Sequence, residues 1–127
     1  MEQEYIKGDI VMYDNKIHTI MDTLELNNYE LSYIDHPVHQ LELSGVPLTL
    51  EILEKNGFDF TGYQMDNNGS MLNICGKRDI LPCLYYYYAT GNFIVYICGK
   101  VVLPNMKYIH ELQHLLFGLG LNLEMEV

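Results

Sequence analysis

Between residues 5 and 34, apolar and polar positions alternate in short runs cut by turn residues, the mark of strands with one covered face. Residues 5–13 read as a turn feeding a strand rich in β-branched and aromatic residues, and Asp14-Asn15-Lys16 as a tight turn. A second strand spans Lys16 to Thr23, with Ile17, Thr19 and Met21 alternating against His18, Ile20 and Asp22. Asn27-Asn28 then turns into a third at Tyr29 to Ile34. Three short strands on tight turns predict a small curled antiparallel sheet or an SH3-like barrel. His36-Pro37-Val38-His39 reads as a loop because proline cannot donate to a ladder, and Gln40 to Leu43 as the segment that closes the barrel.

The rhythm changes at Thr49. Thr49 as N-cap, Glu51 in the first turn and Gly57 past the end frame a short helix over Leu50 to Asn56. After a joint at Phe58 to Thr61, period two returns as a meander: Gly62 to Met65, Ser70 to Cys75, Cys83 to Ala89, Phe93 to Cys98 and Val101 to Leu103. Its turns fall at Asp66-Asn67-Asn68-Gly69, Gly76-Lys77-Arg78-Asp79, Thr90-Gly91-Asn92 and Gly99-Lys100, with Asn68-Gly69 the strongest hairpin signal. The last change is to helical spacing between Pro104 and Gly120, where Ile109, Leu112, Leu115, Leu116 and Leu119 form one apolar stripe. His110 and His114 fall opposite that stripe, Gln113 and Phe117 on one flank. Asn105 is the expected N-cap, and Gly118 and Gly120 the stop. The expected fold is therefore α+β, with the meander covered by the C-terminal helix. Residues 1–127 form a single domain, with 1–58 and 59–127 as its sub-units.

Composition narrows the class. A hydrophobic fraction of 49% and a charged fraction of 19% suit a folded globular chain. No apolar run reaches the length of a membrane span, and the acidic start Met-Glu-Gln-Glu-Tyr is unlike a signal peptide, so a cytoplasmic protein is expected. Cys75, Cys83 and Cys98 are odd in number and lack metal-knuckle spacing, which predicts buried reduced thiols. The net charge is −10, and residues 1–66 hold 13 acids against 3 bases while the remainder balances. With no basic patch to displace phosphate counterions, direct nucleic-acid binding is not expected. The acidic half suits a basic protein partner, and Glu25, Glu30 and Asp35 are its candidate contacts.

Two other features bear on chemistry. His110-Glu111-Leu112-Gln113-His114 spells a zinc-hydrolase string: histidines at i and i+4 share a helix face, and Glu111 would serve as general base. A third ligand is missing from the expected places. Phe117 and Gly120 stand where an extended motif needs Gly and His, and Glu124 and Glu126 lie too close behind, which leaves His36, His39 or Cys98. The expected state is therefore no cofactor, with zinc confined to the hydrolase alternative. Tyr85, Tyr86, Tyr87 and Tyr88 place two rings on each face of a strand, a candidate stacking surface for a small ligand such as a nucleotide signal, with Lys77 and Arg78 nearby. The plainer expectation makes one pair core and the other an ordinary outer face.

Three stretches together give the chain a family likeness. They are Lys7-Gly8-Asp9 with Tyr13-Asp14-Asn15-Lys16, Pro47 through Phe58, and Tyr108-Ile109-His110-Glu111-Leu112-Gln113-His114-Leu115. In these the chain resembles small uncharacterised proteins encoded by phages and mobile elements of anaerobic gut bacteria, a family with no assigned activity. Related versions of the last stretch lack both the Glu and the second His, so the resemblance implies that the zinc string is incidental. The expected function is a non-enzymatic acidic interaction module that binds a host or phage protein.

Overall fold

Left-handed backbone at two consecutive residues is what a type I′ two-residue hairpin demands, and Asp14 (φ 49°) and Asn15 (φ 60°) supply it. They join β1 (Ile10–Tyr13) to β2 (Lys16–Thr23), with Tyr13 opposite Lys16. In this computed structural model, residues 3–66, 69–75, 83–97 and 100–127 are described, with side chains for all but 63–66, 69–71 and 75. The expected turns through Asn67-Asn68 and residues 76–79, with Lys77, Arg78, Cys98 and Gly99, lie outside them. The fold is α+β. Among the described residues it contains two five-stranded antiparallel sheets and two α-helices, α1 (Leu50–Lys55) and α2 (Ile109–Gly118). None of the described helices is long and apolar enough to cross a membrane.

The chain divides into two compact units, Met1–Pro47 with Tyr108–Met125, and Leu48–Lys107 with Glu126–Val127. Thus α1 groups with the meander and α2 with the N-terminal sheet, where the sequence grouping paired them the other way.

In the first unit, β3 (Asn28–Leu31), β4 (Val38–His39) and β5 (Ser44–Gly45) complete a curled sheet of order β4-β3-β2-β1-β5. A register shift between Ile20 and Asp22 bends β2 against β3. Val38-His39, expected as loop, pairs with β3 because Pro37 stops one residue short of the ladder. Gln40–Glu42 is a single 3-10 turn, and the residues that pair with β1 are Ser44 and Gly45. The inner face buries Tyr5, Val11, Ile20, Tyr29, Leu31 and Val38. Tyr5 meets Tyr29 edge-on at 5.8 Å, and the Tyr29 hydroxyl donates to Gln40 Oε1 at 2.6 Å.

Helix α2 docks onto this sheet through a polar residue. The sequence stripe left Gln113 on a flank, but Gln113 is wholly buried. Its Oε1 accepts the Ile10 N–H at 2.8 Å, and its Nε2 donates to the carbonyls of Gly8 (2.8 Å) and Leu123 (3.0 Å). Hydrophobic periodicity ranks residues by apolarity and cannot register that a main-chain segment entering a sheet needs a donor and an acceptor, which one amide supplies. The helix is also shorter than expected at its start. Pro104 and Asn105 belong to β10 (Lys100–Met106), and Tyr108 is the N-cap. Proline survives in that strand because β10 is the sheet edge and its pairing with β9 (Asn92–Ile97) is bulged there.

The second unit is the expected meander, β6 (Asp59–Asp66), β7 (Gly69–Cys75), β8 (Cys83–Tyr87), β9 and β10, in the order β10-β9-β8-β7-β6. Leu72, Ile74, Leu84, Phe93 and Val95 lie buried on one face. Cys83 is exposed at the start of β8, not buried, because it sits on the opposite face from Leu84. Thr49 caps α1 through the Ile52 N–H (3.2 Å), and Gly57 (φ 87°) ends it. The Phe58 N–H returns to Leu53 O at 3.1 Å, and both side chains are buried.

Gln113 is expected to dominate the stability of the first unit. Gln113→Leu strands the buried Ile10 N–H and Gly8 carbonyl, at about 1–3 kcal/mol for each. Urea unfolding should place the variant about 3 kcal/mol below the parent. A loss within about 0.5 kcal/mol would mean that water replaces the amide.

Candidate functional site

The N-terminal turn and α2 bring together Asp9, His110 and His114. Gly8 takes φ 96°, the Asp9 N–H bonds Ile6 O at 3.0 Å, and Asp9 Oδ2 accepts the Ile6 N–H at 2.9 Å. That turn delivers the Asp9 carboxyl, 0% exposed, beneath α2. There Oδ2 also meets His114 Nε2 at 2.6 Å, while Oδ1 has no partner. One helical turn earlier, His110 is 7% exposed and lies 5.7 Å from the His114 ring. Tyr5 abuts it edge-on at 5.1 Å, Tyr108 lies nearly parallel at 5.7 Å and 13°, and its buried Nδ1 is unsatisfied.

The two histidines were expected on the outer side of the helix, and this the structure corrects. His110 is buried and His114 half-buried, because the N-terminal turn and Tyr5 cover that side of α2. Their protonation diverges accordingly. Hydrogen bonding to Asp9 raises the His114 pKa above 6.5, and burial lowers that of His110 below it. Burial, with the nearby charge of Glu4, pushes the Tyr5 phenol up to about 12.

Each member of the zinc string has another task. Glu111 Oε1 accepts the Tyr108 N–H at 2.9 Å at the helix start, His114 is held by Asp9, and His110 packs between tyrosines. A metal on His114 Nε2 would compete with Asp9 for that nitrogen. Among the described residues no three His, Cys, Asp or Glu side chains converge as a metal-holding group. The upstream histidines are elsewhere. His36 is exposed with Nδ1 3.1 Å from Pro37 O, and His39 Nδ1 accepts the Leu41 N–H at 3.1 Å to cap the 3-10 turn.

The tyrosine run divides between faces but pairs internally. Tyr85 packs on Tyr96 at 4.5 Å, and Tyr86 contacts Phe93 at 4.8 Å and Tyr88 at 5.2 Å. Tyr87 is buried, Tyr85 and Tyr86 are half-buried, and Tyr88 is exposed beyond the strand end.

Two of the three acids share a hollow of about 250 Å³ lined by Leu24, Glu30, Ile34, Asp35, His36 and Pro37. Glu25 follows Leu24 in the turn beside it. Here sequence reading missed two residues. Leu26 and Asn27 (φ 59° and 58°) are the central pair of a turn in which the Asn28 N–H bonds Glu25 O, and Tyr33 (φ 63°) is third in a turn closed by the Ile34 N–H to Leu31 O at 3.3 Å. Such positions favour Gly or Asn. Leu26 is nonetheless 85% exposed and Tyr33 100% exposed. The available signal was a large apolar residue beside Asn27 and another after Ser32, where turn composition would place small or polar ones.

The histidines should give stability two opposed pH dependences. Protonated His114 is favoured by the fold, so its contribution is complete below 6.5 and is lost as pH rises through its raised folded value. Neutral His110 is favoured, so its contribution is present above 6.5 and is lost as pH falls towards its lowered value. Urea midpoints from pH 5 to 8 should show His114→Gln falling further behind the parent as pH drops towards 6.5. His110→Asn should gain on the parent below 6.5. Parallel curves for all three proteins would contradict both assignments.

No protein-family model, no curated protein and no solved structure matches this chain, so its function has to be read from the geometry of these residues.

Proposed function

We propose that the chain is a non-enzymatic interaction module of phage or mobile-element origin, which binds a basic protein through the acidic, apolar-flanked hollow beside the ends of β2 and β3. The observation that supports this reading is the pairing of backbone strain with exposure. A branched or bulky residue in the left-handed region costs about 1–2 kcal/mol, and burying its side chain in the first unit would be the usual compensation. Leu26 and Tyr33 have no such compensation, since both point into solvent. Strain held at exposed apolar residues marks surfaces retained for binding.

The chemistry of the hollow sets the kind of partner. Leu24, Ile34 and Pro37 line it with apolar surface and Glu30 and Asp35 with carboxyl groups, with Glu25 on the adjoining turn. With a net charge of −10 behind them, these groups favour a Lys- or Arg-bearing surface with an apolar anchor, and would speed its approach.

The test separates binding from folding. Leu26→Asn relieves the strained turn and should raise stability by about 1 kcal/mol. Together with Tyr33→Asn it should abolish capture of a basic partner by the immobilised protein. Charge reversal at Glu25, Glu30 and Asp35 should abolish it too, and the parent's capture should weaken as salt rises. A basic partner held equally by the parent and both variants would overturn the proposal.

A further inference from the structure

The first unit contains a second concavity, of about 370 Å³, lined by Glu4, Tyr5, Leu43, Ser44, Gly45, Tyr108, His110 and Glu111. It shares no residue with the hollow assigned to the protein partner. Its floor depends on a glycine: a Cβ at Gly45 would lie 2.7 Å from Cγ and Cδ1 of Tyr108 and 2.9 Å from Cε1 of His110. Only a residue without a side chain lets β5 approach these two rings so closely.

Beside Leu43 and Ser44, the other side chains that line this space share one polarity. Tyr108, 40% exposed, and the buried Tyr5 bring aromatic rings to its lining. Glu4 and Glu111 bring carboxyl groups, and the Glu4 charge is felt by both Tyr5 and His110. His110, more than nine-tenths buried, contributes a ring nitrogen, Nδ1, with no hydrogen-bond partner. An unpaired polar atom in a buried ring costs about 1–3 kcal/mol unless something bonds to it. Every one of these features is complementary to a positively charged hydrogen-bond donor and none to an anion.

We infer that this concavity is a binding site for a small organic cation, an alkylammonium or guanidinium head group. The cation would lie against the Tyr108 ring, with Glu4 and Glu111 balancing its charge and His110 accepting one of its N–H bonds. The same head group could arrive on a free amine or at the end of a lysine or arginine side chain.

The test is an NMR titration of the full chain, following the imidazole Cε1–H of His110 and the ring protons of Tyr108. The probes are agmatine, N-acetyl-arginine amide, its neutral counterpart N-acetyl-citrulline amide, and a tetra-arginine peptide. Saturable shifts at both rings with the cationic probes, and none with the citrulline amide, are expected. Saturation by agmatine identifies a free cation as sufficient, and saturation by the peptide alone identifies a side-chain ligand. Glu4→Gln, at an exposed position, should weaken binding about three-fold, the size of one partly solvated charge pair. Tyr108→Leu should cost about two- to five-fold through the lost ring face. Gly45→Ala should abolish the shifts by forcing both rings from the site. Should Gly45→Ala fail to fold, the Glu4→Gln and Tyr108→Leu arms decide. Equal response to arginine and citrulline amides, no saturation with any cation, or affinities unchanged in Glu4→Gln and Tyr108→Leu would each overturn the assignment.

Discussion

The fold of the first unit depends on one amide. Gln113 offers a donor and an acceptor to main chain more than a hundred residues away in sequence, binding the Gly8 carbonyl and the Ile10 N–H. A buried strand entrance has polar groups that neither the sheet nor water satisfies, and an apolar helix face could not have covered them without leaving them unpaired. The hydrogen bonds therefore set which side of α2 faces β1. Once Gln113 is fixed, His114 falls on Asp9 and His110 falls between Tyr5 and Tyr108, since positions three and four apart share a helix face.

That geometry gives each member of a string resembling a metalloenzyme motif a structural contact. Zinc chemistry needs both imidazoles turned towards an open point, with the Glu beside the metal-bound water. Here the Glu closes the helix start, one His is bonded to a buried carboxyl, and the other lies against β5 at Gly45. The result is a pair of rings with opposite proton preferences side by side, one beside a carboxyl and the other desolvated. The orphaned Nδ1 of His110 and Oδ1 of Asp9 are the costly features of this arrangement. The first is what points to a ligand in the concavity beside it.

Strain tells a complementary story at the hollow. Non-glycine residues take left-handed backbone at three turns of the first sheet. At Asp14-Asn15 the residues suit the conformation, and the turn needs no further account. At Leu26 and Tyr33 they do not, and the same backbone holds out a branched and an aromatic side chain. Comparing turns within one unit isolates the anomaly, since all three belong to the same small sheet.

Local patterns determined much of this protein. Period-two alternation, the Asp14-Asn15 turn, Thr49 and Gly57 around α1, and the meander after Phe58 were all legible, because each rests on contacts between residues near in sequence. So was the acidic first half. The tertiary structure alone decided the rest. It extended β10 through Pro104, buried His110 and Gln113, joined Asp9 to His114, and cleared the space at Gly45. These depend on which distant main-chain atoms need partners and on which side chain is absent where two elements meet. Neither quantity appears in the periodicity of a single segment.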